Sequence, residues 1–138
     1  MKISARVQNS EGQHHIRLST NETVHSIVIP PRPSGFGSSA NGGELLFLAL
    51  ATCFCNDIYR EAAKRGITVE RVEVEVEGDF AAEGAAATNV TYRAQVAARA
   101  REEEILALIK HTDQVAEIQN TLRVASPVTL GSIEVQTV

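Results

Sequence analysis

The chain has 138 residues, is 43% hydrophobic and 22% charged, and carries a net charge of −4. A chain of this size buries about 68% of the surface its unfolded form exposes, so one α+β domain over 1–138 with one aliphatic core is expected. Aromatic residues make up only 4%, and seventeen acidic residues outnumber thirteen basic ones, which argues against stacking or phosphate contacts with nucleic acid.

Met1 to Val7 alternates polar and apolar residues and does not resemble a secretion signal. The longest apolar run, Leu45 to Ala51, has seven residues against about twenty needed to cross a bilayer, so no membrane partner and a cytoplasmic location are expected. Two cysteines make no disulfide framework, and in a reducing compartment they rest as thiols.

The first 29 residues predict a three-stranded antiparallel meander. Ile3, Ala5 and Val7 alternate, Ile16 and Leu18 alternate, and Val24 to Ile29 is β-branched, with turns near Asn9 to Gly12 and at Asn21-Glu22. Pro30, Pro31, Pro33, Gly35, Gly37 and Gly42-Gly43 then exclude a persistent helix or ladder. Asn41 followed by Glu44 is a reciprocal capping arrangement that starts a helix, which stops at Gly66. Its first half is apolar on every side and calls for cover by protein, which favours a dimer. Its second half has charges at helical spacing and is expected to show one face to water.

Val72, Val74 and Val76 alternate with glutamates, and Val90, Tyr92, Ala94 and Val96 alternate with polar residues, giving two half-buried strands joined by a loop over Gly78 to Thr88. Glu73, Glu75 and Glu77 form the wet face, paired with Arg93 across the hairpin. A second helix spans Arg101 to His111, with Ile105, Leu108 and Ile109 facing the core and Thr112-Asp113 kinking or restarting it. A shorter helix through Val115, Ile118 and Leu122 follows. Val128 to Val138 is expected to close the chain as a strand, with Gly131 at a bulge.

Cys53 and Cys55 are the candidates for chemistry. Cys53 lies three turns into its helix, beyond the reach of the amino-terminal dipole, so a nearby cation would have to make it a thiolate; inert packing is the competing reading. Cys55 points about 200° away around the helix, so the two cannot close a disulfide without local unfolding. His14-His15, His25 and His111 lie in different elements and the Cys-x-Cys pair lacks a second half, so no metal is expected; no phosphate-binding motif or other cofactor signature is present.

The run GFGSSANGGELLFLALATC over 35–53, with Asp57 four residues on, resembles the signature of the OsmC/Ohr family of thiol-dependent hydroperoxide reductases, and the order of elements resembles the family along essentially the whole chain. The resemblance implies antiparallel sheets around two main helices in an intertwined homodimer. It places Cys53 on the peroxide-attacking thiol. The family's second, resolving thiol falls where this chain has Ala116, which leaves resolution to Cys55 or to an external thiol reductant. The family's helix-start glutamate falls on Gly43, with Glu44 one residue off, and Glu44 is also read as a cap alone. The activating arginine is assigned to Arg32 in the proline loop, ahead of Arg17. Two functions follow: a peroxidase acting on a small organic hydroperoxide in oxidative stress defence, or a non-catalytic dimer that binds a small hydrophobic ligand or partner.

Overall fold

The computed structural model describes residues 1–138. It forms two compact units, Met1–Leu46 and Phe47–Val138.

The first unit holds a three-stranded antiparallel sheet in the order β1 (Ile3–Ser10), β2 (Gln13–Thr20), β3 (Thr23–His25). Gly12, with φ +68°, and Asn21, with φ +52°, supply the left-handed turns that the sequence placed there. The third strand is shorter than expected and ends at His25. The proline loop is folded back on itself by Arg32 N–H to Gly37 O at 3.1 Å and Ser39 N–H to Pro30 O at 2.9 Å. Asn9 holds it from β1, accepting the Gly37 N–H on Oδ1 at 2.9 Å.

Helix α1 (Gly42–Lys64) starts as the sequence requires. The Asn41 N–H donates to Glu44 Oε1 at 3.0 Å and the Glu44 N–H donates to Asn41 Oδ1 at 2.8 Å, so two otherwise orphaned donors are satisfied. It stops where Gly66 takes φ +67° and the Ile67 N–H returns to Ala62 O at 3.0 Å.

The second unit is built on a long hairpin, β4 (Thr68–Asp79) paired antiparallel with β5 (Thr88–Arg99). The alternation reads through: Val72, Val74 and Val76 are half-buried on one face while Glu73, Glu75 and Glu77 are exposed on the other, where Arg93 pairs with Glu75. Register shifts near Glu70 and Gly78 keep that alternation in phase with the partner strand. The core is the stripe Phe54, Ile58 and Ala62 of α1 with Leu108 of α2 (Glu102–Val115), laid on Val69, Val72, Val74, Tyr92, Ala94 and Val96 of the hairpin. Residues four apart on a helix share a face, which is why 54, 58 and 62 act together. The Phe54 and Tyr92 rings meet at 5.0 Å between centroids.

Three expectations are corrected. Helix α2 continues through Thr112 and Asp113, where the buried Thr112 hydroxyl is satisfied within the helix by donating to Leu108 O at 2.8 Å; the break comes at Ala116, which is extended (φ −73°, ψ +108°) before α3 (Glu117–Arg123). In α1 the second half does show a face to water, through Arg60 and Lys64, but Asp57 and Glu61 are covered at 5% and 4% exposure, whereas Leu48 in the apolar half stays 57% exposed. Val128 to Val138 forms no strand within the chain, and Val128, Leu130, Ile133 and Val135 are all exposed. A strand needs a neighbour for its amides, and a single copy offers that segment none.

Candidate active site

Next to the core stripe on α1 runs a second stripe at the same four-residue spacing, Cys53, Asp57 and Glu61, carrying polar atoms into the seam with α2 and α3. The extended backbone at Ala116 turns the chain between α2 and α3, so that Glu117, the first residue of α3, reaches α1. That end of the molecule is tied down from β5. The Tyr92 hydroxyl donates to Asp113 Oδ1, and Arg123 donates to the same carboxylate at 2.7 Å and to the Asp113 carbonyl at 3.1 Å. These bonds hold Asp113 ionised against the opposing effect of burial, and burial, reinforced by Asp113, pushes the Tyr92 hydroxyl well above its ordinary range.

At this seam the Cys53 thiol donates to Asp57 Oδ2 at 3.5 Å and faces Glu117 Oε2 at 3.8 Å. The other oxygen of each carboxylate belongs to Arg60, with Asp57 Oδ1 at 2.8 Å and Glu117 Oε1 at 3.4 Å from Nη1. Arg60 Nε also donates to Glu61 Oε1 at 2.9 Å. The guanidinium therefore orients two carboxylates from behind, and their free oxygens present themselves to sulfur.

The electrostatics follow from that arrangement. Burial, then the charge of Asp57 and its hydrogen bond, push the Cys53 thiol up, and the Ile118 backbone N–H opposes them. Burial and the negative charge of Glu117 raise the Asp57 carboxyl, with Arg60 opposing. Glu117 is lowered, first by its own backbone N–H and then by Asp57 and Arg60. The two carboxylates oppose each other's ionisation, and Asp57 is the more readily protonated of the pair. The thiol is thus protonated at neutral pH and has two proton acceptors beside it. Glu117 is 63% exposed at its side chain, which leaves one side of the site open to small molecules.

Cys55 lies on the far side of α1 in a recess of about 240 Å³ with Ala51, Thr52, Asn56 and Val74, and both thiols are free. Glu44 makes the capping bonds at the start of α1, and Arg32 lies exposed in the proline loop with its side chain against Gly37; both belong to the first unit. Arg60 and Glu117 escaped the sequence reading. Arg60 was legible at seven residues from Cys53 on one helix, whereas Glu117 stands 64 residues away and had no local signal.

The family model described as OsmC-like protein matches residues 35–131. Among solved structures, the chain is similar to an OsmC-like protein from Mycoplasma pneumoniae, at 17% identity and a TM-score of 0.59, covering 89% of each chain. An OsmC-like protein of unknown function from Vibrio cholerae is similar at 16% identity and a TM-score of 0.59, over 88% of this chain and 93% of that one. An organic hydroperoxide resistance protein from Legionella pneumophila is similar at 20% identity and a TM-score of 0.51, over 89% of this chain and 90% of that one. No curated protein matches the sequence.

Proposed function

The chain belongs to the OsmC-like proteins, and on that premise we propose that it is a thiol-dependent peroxidase that reduces small organic hydroperoxides with Cys53. The observation that carries this reading is the Cys53 sulfur set 3.5 Å from Asp57 Oδ2 and 3.8 Å from Glu117 Oε2, with Arg60 orienting both acids. The likeness to the Legionella pneumophila protein, described as an organic hydroperoxide resistance protein, supports the same substrate class.

A thiol whose pKa is raised cannot rely on standing thiolate, so its proton must leave as sulfur attacks. In this reading the carboxylate pair accepts that proton while sulfur bonds to one peroxide oxygen and the O–O bond breaks. The proton then passes to the departing alkoxide. One thiol and one hydroperoxide become one sulfenic acid and one alcohol. An external thiol condenses with the sulfenic acid, releasing water, and a second external thiol frees Cys53; Cys55 serves instead only where the helix opens locally. Glu44 then acts as the helix cap, and Arg32 is not needed for the proton.

A second reading, a non-catalytic dimer holding a small hydrophobic ligand, is favoured by an open cavity of about 460 Å³ whose apolar wall is Phe54, Tyr92, Ala94 and Ile109 and whose polar wall is Lys110, Asp113 and Gln114. That volume lies within the range of small-molecule sites. One experiment separates the two. Reduced protein receives one equivalent of an organic hydroperoxide with dimedone present, beside Cys53→Ser, and intact mass is read. A dimedone adduct that depends on Cys53 supports the peroxidase; no adduct in wild type rejects it and leaves the binding reading.

A further inference from the structure

We propose that Cys53, Asp57 and Glu117 together form a binding site for Zn²⁺. One sulfur and two carboxylate oxygens, from α1 and α3, converge so that all three donor atoms lie within 4.8 Å of one another. A tetrahedral zinc at about 2.3 Å from sulfur and about 2.1 Å from oxygen sets its sulfur and oxygen ligands roughly 3.6 Å apart. Here the two sulfur-to-oxygen distances are 3.5 Å and 3.8 Å, so sulfur already stands from each oxygen at the edge such an ion requires.

Arg60 supplies the outer support. It takes Asp57 Oδ1 and Glu117 Oε1, the oxygens that point away from sulfur, and so fixes the orientation of the inner pair without occupying the space between the donors. Charge closes as well. A thiolate and two carboxylates carry three negative charges, against two from zinc and one from the guanidinium. Zinc binding releases the thiol proton and any proton the carboxylates share. Sulfur in the donor set selects against magnesium and calcium, which take oxygen.

A second observation comes from the same seam. Gln119, two residues beyond Glu117, is 4% exposed and donates its Nε2 to Leu50 O at 3.0 Å, one turn before Cys53 on α1. Its Oε1 is buried without a hydrogen-bond partner. A buried amide oxygen left unpaired is uncommon in a native interior, and this one belongs to the same helix, α3, that carries Glu117 into the site.

The inference does not rest on the peroxidase reading, because zinc binding is read without peroxide. Where the peroxidase reading holds, zinc blocks the thiol and peroxide consumption falls on its addition; where it fails, the site stands unchanged. The test is a competition titration of the phosphine-reduced protein against a chromophoric zinc chelator, followed by cobalt substitution. One zinc per chain is expected, with affinity at least roughly tenfold weaker in Cys53→Ser and Glu117→Gln. Cys55→Ser should keep the wild-type affinity and the sulfur-to-cobalt charge-transfer absorption, which Cys53→Ser should lose. Wild-type affinity in Cys53→Ser, no zinc uptake by wild type, or a cobalt band that follows Cys55 would overturn the site. If Cys53→Ser does not fold, Glu117→Gln decides alone, since that carboxylate is largely exposed and its loss leaves the core intact.

Discussion

Cys53 and Asp57 face each other one helical turn apart, with the sulfur 3.5 Å from the carboxylate oxygen that Arg60 leaves free. This relationship has opposite consequences for two reactions of the same thiol. Asp57→Asn removes a negative charge beside sulfur and lowers the thiol pKa, so Cys53 should be alkylated a few-fold faster at neutral pH. The same change removes a proton acceptor, so sulfenic acid formation with an organic hydroperoxide should slow by about 100-fold or more. Stopped-flow peroxide kinetics and iodoacetamide labelling on one preparation check the split; parallel changes in both rates would count against a carboxylate-assisted attack.

Glu61 governs acid stability. Lys64 and Arg60 hydrogen bonds, with His111 adding a further partner, hold its carboxyl down to about 2 from 4.5. A carboxylate depressed in the folded state contributes stability that is present above its unfolded pKa and is lost as pH falls through the folded one. Wild type should therefore lose stability between about pH 4.5 and pH 2, and Glu61→Gln, already lacking that contribution, should show a shallower loss over this window. Urea midpoints at several pH values read the difference in slope.

At Gly78 the hairpin passes under Phe47, whose Cζ would lie 2.8 Å from an added Cβ, with Thr88 O at 3.3 Å. The Phe47 ring is also stacked on Phe80 at 6.0 Å, which restricts its retreat. Gly78→Ala should cost about 1–3 kcal/mol by overpacking, measured as a fall in the denaturation midpoint. Phe47→Leu in the same chain should recover part of that loss.

The uncovered carboxyl-terminal segment bears on assembly. Val128 and Leu130, then Ile133 and Val135, form two pairs at strand spacing with a one-residue phase shift between them, and all four are exposed in the single chain, as is Leu48 on α1. Surfaces of this kind call for a partner, and a second copy of the chain is the expected one. The 138-residue chain should sediment as a dimer, and a chain ending at Ser126 should shift towards monomer at micromolar concentration. A truncated chain that remains a dimer would assign the contact to α1 instead.

Local physics was legible in the residues themselves. The Asn41 and Glu44 cap, the Gly66 stop and the valine and glutamate alternation of β4 each depend on groups within a few positions, and each stands in the structure. Cys53 was legible as the candidate thiol, and its resemblance to the family motif agrees with the family match. What the sequence left open was the environment of that thiol. Asp57 and Glu61 read as a wet helical face because charge at helical spacing normally seeks water, yet both are buried. Their cover comes from α2 and α3, fifty or more residues away, and from Arg60, whose side chain joins three carboxylates. Glu117 enters the site only because Ala116 leaves the helical conformation and turns the chain. Helix caps and strand periods are set by neighbours along the chain; the protonation state and partners of Cys53 are set by neighbours across it, and those exist only once α1, α2 and α3 have packed.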